Sequence, residues 1–202
     1  MAGAERYMLD RIGEEVARET SIVRYAAGAR FSAHTHGGGE EFLVLAGSFH
    51  DDARNYPEGT YVRNPIGAAH ASRAGPDGAV LFVKLNQFTA ADTQRVVIDT
   101  RAARWHRGVM PGLSVLPLHE HDPEHVALVR WAPSTTFWRH HHWGGEEILV
   151  LEGVFEDEDG DRNEIDLHGL DRLRDLERLP GMGSMMLNLG RPRLGITMED
   201  AD

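Results

Sequence analysis

The sequence has no cysteine, no long apolar run and no excess of positive charge, and each absence removes a class of explanation. Without cysteine there is no disulfide staple, no zinc–thiolate site and no thiol nucleophile, so any bound metal must be held by His, Asp or Glu. No stretch approaches the roughly 18 apolar residues that suggest a spanning helix. The start, MAGAERYMLDRIGEE, has no basic region leading into an apolar segment, so no membrane partner and a cytoplasmic location are expected. Lys and Arg number 21 against 32 Asp and Glu, and the formal net charge of -11 opposes binding to nucleic acid or an anionic surface. What remains suits a globular protein: 202 residues, 41% of them hydrophobic, are enough for one domain of above-average size or two small ones.

An internal repeat decides between these. The stretch IVRYAAGARFSAHTHGGGEEFLVLAGSFHDD, from Ile22 to Asp52, lies without a gap on LVRWAPSTTFWRHHHWGGEEILVLEGVFEDE, from Leu128 to Glu158, at a constant offset of 106 residues. About half of the positions are identical, far above chance, so two similar units follow one another. The weakly periodic, charged segment from Asn86 to Trp105 is the expected connection, with Val96–Ile98 a candidate strand within it. The units are placed at residues 1–95 and 96–202.

The local pattern is β. Ile22–Tyr25, Glu41–Leu45, Val80–Leu85 and Ile148–Leu151 are short apolar runs, rich in β-branched residues and bounded by glycine. Turn signals fall close together at Ala27-Gly28, Gly37-Gly38-Gly39, Pro57-Glu58-Gly59 and Gly75-Pro76-Asp77-Gly78, which suits a compact barrel better than an α/β sheet. The expected fold is all-β, two tandem jelly-roll barrels.

Histidines of the first unit carry the candidate chemistry. His34, His36 and Glu40 share parity on strands flanking the Gly37–Gly39 turn, so all three can face the barrel mouth. Two imidazoles and a carboxylate suit Fe, Mn, Zn or Ni, and a fourth ligand is expected from a later strand. His70 is placed to supply it, after a Pro65-x-Gly67 turn able to re-aim the chain. Glu41 is the alternative carboxylate should a bulge shift the register by one. His50 and His106 read as structural, and Phe31, Phe42 and Tyr61 as either cavity lining or barrel filling.

These residues resemble the cupin family. Gly28, five residues, His34-x-His36, three residues, Glu40, six residues and Gly47 match its first motif; Gly59, five residues, Pro65-x-Gly67, two residues and His70 match its second. Ala74 stands where family members often carry Asn, which is not a ligand. The wording GGEE-LVL-G-F-D, its two copies and the string Gly59-x-Tyr61-x-Arg63-x-Pro65 look most like the ChrR-type cupins, which include the sensing domain of ChrR anti-sigma factors and acetylacetone-type dioxygenases. The resemblance implies a jelly-roll barrel with one divalent metal on three histidines and a glutamate. It also implies a small-molecule or oxidant-responsive module, with alternatives in a non-haem Fe(II) dioxygenase cleaving a small diketone or hydroxyaryl ketone, or a structural metal protein. ChrR factors hold their sigma factor with a separate cysteine-bearing zinc domain, and the absence of cysteine here argues against that role.

The second unit is the degenerate one. His140, His142 and Glu146 occupy the offset positions of the first three ligands, but Leu176 falls where His70 would and no Pro-x-Gly-x-x-His follows. His168 is a substitute candidate, and whether a second ion binds there is left open. Leucines at 167, 170, 173, 176 and 179 among charges read as a surface helix or irregular segment. The cluster His119 to His125, with Pro123 breaking any helix, reads as a solvated loop. A homodimer through exposed sheet edges is expected, as is loss of metal as pH falls through about 6 toward 5, where imidazoles protonate.

Overall fold

Antiparallel strands make up the regular structure of the computed structural model, which describes residues 3–121, 124–138, 147–153 and 185–190. No helix among the described residues is long and apolar enough to cross a membrane. The chain divides into two units, Met1–Ala103 and Arg104–Asp202.

The first unit holds β1 (Ala4–Ile12), β2 (Arg18–Tyr25), β3 (Arg30–Thr35), β4 (Glu40–His50), β5 (Asn55–Pro57), β6 (Thr60–Asn64), β7 (Ala69–Leu85) and β8 (Val96–Asp99). They join in one sheet in the order β1-β2-β7-β4-β6-β8, with β3 on β7 and β5 on β4. The sheet curls into a jelly-roll barrel around Val23, Phe42, Val44, Phe49, Tyr56, Val62, Leu81 and Val83. Rings stack edge-on through this core, with Phe42 at 5.6 Å from Phe49 and 5.8 Å from Tyr56; each such buried ring contributes roughly 1.5–3 kcal/mol of transfer free energy. The unit passes the 95/96 division suggested by the sequence because β8 pairs with β6, Arg63 opposite Val96 and Thr60 opposite Asp99.

β7 corrects one sequence expectation. Gly75-Pro76-Asp77-Gly78 is not a turn between strands but a bend inside β7, where the strand changes partners. Before the bend it pairs with β3, Arg30 opposite Arg73; after it, with β2, Tyr25 opposite Ala79. Gly78, at φ +84°, lies so close to β2 that an added Cβ would sit 2.6 Å from the Tyr25 carbonyl oxygen, so the bend requires glycine.

The second unit holds β9 (His106–Arg107), β10 (Leu113–His121), β11 (Glu124–Trp131), β12 (Ile148–Glu152) and β13 (Met185–Gly190), in the order β12-β13-β11-β10-β9. The run β10-β11-β13-β12 repeats β1-β2-β7-β4 of the first unit down to its registers. Glu19 opposite Leu85 becomes His125 opposite Gly190, and Phe42 opposite Val83 becomes Ile148 opposite Asn188. The irregularity between Val44 and Ala46 recurs between Val150 and Glu152, and that between Met8 and Asp10 recurs between Pro117 and His119. His119 to His121 and His125 therefore belong to a strand pair rather than a solvated loop, and His119 is buried. Pro117 and the bulge after it explain why alternation was hard to see there.

Candidate metal centre

The three histidines of the first unit meet at one end of the barrel. His34, next to last in β3, stands directly opposite His70, the second residue of β7. His36, just past β3, is tied down by its own backbone, its N–H donating to the Ala68 carbonyl at 2.9 Å and its carbonyl accepting from Gly67 N–H at 2.9 Å. Pro65 and Gly67, at φ +85°, thus make the tight turn that delivers His70 beside His36. Ring centroids of the three imidazoles are 4.7, 4.9 and 4.9 Å apart, a nearly equilateral triangle. His34 Nδ1 lies 2.9 Å from the Ser32 carbonyl oxygen; since a carbonyl only accepts, Nδ1 carries the proton and Nε2 keeps its lone pair.

Glu40, on β4, approaches two of the three imidazoles. Its Oε2 is 3.4 Å from His36 Nε2 and 3.7 Å from His70 Nε2, and those two nitrogens are 3.0 Å apart. Donors about 2.1 Å from a shared cation stand about 3.0 Å apart in octahedral and about 3.4 Å in tetrahedral arrangement, so these spacings fit one ion. His34, His36 and His70 form a group able to hold a metal ion, their ligand atoms all within 4.8 Å of one another.

The register choice between Glu40 and Glu41 is resolved by what lies on either face of β4. Glu40 and Phe42 face inward, opposite Asn64 and Val62. Glu41 points the other way, into a buried ion pair with Arg63. Arg63 is wholly buried, donates to Asp92 Oδ2 at 2.6 and 3.1 Å, and lies over the Phe88 ring at 3.7 Å. A one-residue slip would place Glu40 against that guanidinium and remove Glu41 from it. The Gly37–Gly39 turn is fixed by the same segment. Asn86 and Phe88 donate to the Gly39 and Gly38 carbonyls, and the Phe88 ring occupies the space that a Cβ on Gly39 would need.

Electrostatics distinguish the donors. Burial, with His70 and His34 adding to it, lowers His36 to about 4; burial and His34 lower His70 as well. Glu40 is pushed up to about 7 by burial, against the Asn64 amide that donates to its Oε2 at 3.1 Å. Without a cation, burial thus favours neutral His36 and His70 and a protonated Glu40; a cation would reverse the latter.

Beside the site, a cavity of about 340 Å³ is lined by Arg30, Phe31, Ser32, Asp51, Asp52, Ala71, Ser72 and Arg73. Ser32 is the residue that orients His34, and Ala71 follows His70. Phe42 and Tyr61 are buried filling, and His50 bonds to Ser48 at 3.3 Å. The sequence reading missed Asp92, Phe88, Asn64 and Arg95; the first two and the last were assigned to a connection. His140, His142, Glu146 and His168, and the 167–179 segment, lie outside the described residues.

A two-unit jelly roll with three imidazoles and a carboxylate at one barrel mouth defines a bicupin. The sequence matches the family described as the ChrR cupin-like domain over residues 1–89 and 93–166, and the chain belongs to that family. No curated protein sequence matches it. Among solved structures it is similar to a provisionally named glyoxylate-induced protein from Pseudomonas aeruginosa, with a TM-score of 0.63 and 14% identity over 95% of this chain and 77% of that one. A provisionally assigned dioxygenase from Nostoc punctiforme has a TM-score of 0.62 and 13% identity over 95% and 71%. The Escherichia coli pirin YhhW, in complex with nickel(II), has a TM-score of 0.53 and 14% identity over 95% and 93%. At these identities the likeness concerns the fold.

Proposed function

We propose that the first unit binds one divalent metal ion, Zn, Fe, Mn or Ni, through His34, His36, Glu40 and His70, and that this centre makes the chain a small-molecule- or oxidant-responsive module. The observation that carries the reading is the approach of His36 Nε2, His70 Nε2 and Glu40 Oε2 to within 3.0–3.7 Å of one another. Nothing but a proton or a cation makes such a group of buried acceptors favourable. The nickel complex of the pirin of like fold supports the expectation that a barrel of this shape accepts a divalent ion. Four protein ligands leave positions on the ion for an exogenous molecule or oxygen, which is the chemistry the metal would supply. His34 would be aimed by Ser32 and Glu40 by Asn64.

Elemental analysis of protein purified without added metal should give near one ion per chain, and His36→Ala with His70→Ala should abolish it while preserving the fold. Metal content unchanged by both substitutions would refute the assignment. The same open positions support a second reading, a dioxygenase. Oxygen uptake by the Fe(II) form with small β-diketones or hydroxyaryl ketones would favour it, whereas ligand binding without turnover favours the responsive module.

A further inference from the structure

Glu40 on β4, Asn64 on β6 and Arg95, just before β8, lie in one row. Glu40 stands opposite Asn64 in the β4–β6 ladder, and the β6–β8 ladder, with Arg63 opposite Val96, brings Arg95 beside Asn64. Arg95 Nε donates to Asn64 Oδ1 at 3.1 Å. Its Nη2 donates to the Tyr56 hydroxyl oxygen at 2.8 Å and to Asp51 Oδ2 at 3.3 Å. Tyr56 in turn donates to the same Asp51 oxygen at 2.6 Å, and Asp51 Oδ1 accepts from the Ala53 and Arg54 backbone N–H groups at 2.8 Å each.

This network has a direction. A guanidinium has donors and no acceptor, so Arg95 must engage the oxygen of the Asn64 amide and the oxygen of the Tyr56 hydroxyl. Asn64 is then left with its NH2 group toward Glu40, where it donates to Oε2, the oxygen that faces His36 and His70. With the amide turned over, Asn64 would present an acceptor to an acceptor, and Glu40 would lose its support. Asp51, anchored by two backbone N–H groups, fixes the far end, so the guanidinium is itself held.

We propose that Arg95 is a positioning residue of the metal centre, acting through the Asn64 amide to hold the Glu40 carboxylate in its metal-facing pose. The proposal deepens the metal reading above and rests on it. Arg95 makes no hydrogen bond to the three imidazoles, although its charge helps to lower His70, and it lies outside both motifs, on the segment between β7 and β8. The role is one that Asn64 alone does not fill, because an amide with no partner for its oxygen has only its bond to Glu40 to hold it against turning over. Removing outer partners of metal ligands typically weakens binding about 10–100-fold.

The test is a competitive titration of Co(II) or Zn(II) into wild type, Arg95→Met, Asn64→Ala and the double variant. Wild type should bind, and Arg95→Met and Asn64→Ala should each weaken binding about 10–100-fold. The double variant should be no weaker than Asn64→Ala alone, since both changes interrupt one chain of bonds. At saturating Co(II), the visible ligand-field bands of Arg95→Met should shift relative to wild type, a change that a general loss of stability would not produce. Additive losses in the double variant, or an Arg95→Met that binds as wild type with unshifted bands, would overturn the proposal and leave the metal reading standing. A wild-type protein that binds neither ion would overturn both. Should Arg95→Met fail to fold, Asn64→Ala and Asn64→Asp carry the decision: both remove the donor to Glu40 Oε2, and the aspartate sets an acceptor against it, so both should shift the Co(II) bands, and unshifted bands in either would overturn the proposal.

Discussion

Glu40 and Glu41 are neighbours in sequence with the same side chain, yet one faces the imidazoles of His36 and His70 and the other a wholly buried guanidinium. Their environments, not their chemistry, assign their roles. For Glu40 the consequence is a pH dependence. Its carboxyl is raised to about 7 by burial, while His36 is lowered to about 4. A ligand carboxylate must be ionised to bind, so below pH 7 each metal ion displaces one proton from Glu40, and affinity falls as pH falls. His36 and His70, both lowered, compete with protons only at lower pH. Apparent affinity should therefore be flat above about pH 7.5 and weaken about tenfold per pH unit below 7, which a chelator-competition titration between pH 5.5 and 8.5 will measure. A flat profile down to pH 6 would show that the carboxyl is already ionised. The sequence placed the fall between 6 and 5 from free imidazole values; it gave the donor types but no means of seeing how burial moves a carboxyl and an imidazole in opposite directions.

Among the elements, the turns decide how well the ligands are aimed. Gly39 (φ +79°) and Gly67 (φ +85°) both adopt a conformation that costs an L-residue about 1–2 kcal/mol. They differ in what surrounds them: a Cβ on Gly39 would lie 2.5 Å from the Phe88 ring, and one on Gly67 would meet nothing within 4 Å. Gly39→Ala should therefore destabilise more than Gly67→Ala, by about a further 1–3 kcal/mol of overpacking, read from chemical denaturation of the two variants; equal losses would mean that Phe88 moves aside freely. Such comparisons show where sequence reading reached and where it stopped. The runs Ile22–Tyr25, Glu41–Leu45, Val80–Leu85 and Ile148–Leu151 lie wholly within β2, β4, β7 and β12, because local periodicity reports them directly. The segment from Asn86 to Arg95 looked like a connection because its contacts are long-range and polar. Phe88 and Asp92 gain meaning only once Arg63 is known to be buried beneath them. Gly75–Gly78 carried every mark of a turn, and only the sheet shows that the strand continues through it.

For the molecule as a whole, the two units offer an internal control. An ion bound in the first unit stabilises that unit by about 2.7 kcal/mol when free metal is 100 times the dissociation constant. Hydrogen exchange with and without Zn(II) should thus slow at amides of β3, β4, β6 and β7, with β10 and β11 unchanged. Slowing in both units would point to a second ion, for which His140, His142 and Glu146 are the candidates. The repeat was the most legible feature of the chain because about half its aligned residues are identical, and it led directly to the tandem architecture. Less visible was how deep the duplication runs, since β10 and β1 share little sequence while sharing a bulge and its place in the ladder.

That shared ladder has a practical side. Two sheets that agree even in their misaligned rungs act as one chassis built twice, on which the first half mounts its histidines around the end of β3 and the start of β7. Transplanting residues 26–36 and 55–70 onto the second copy would ask whether coordination chemistry can be installed like a cartridge, with the framework supplied twice by the same gene.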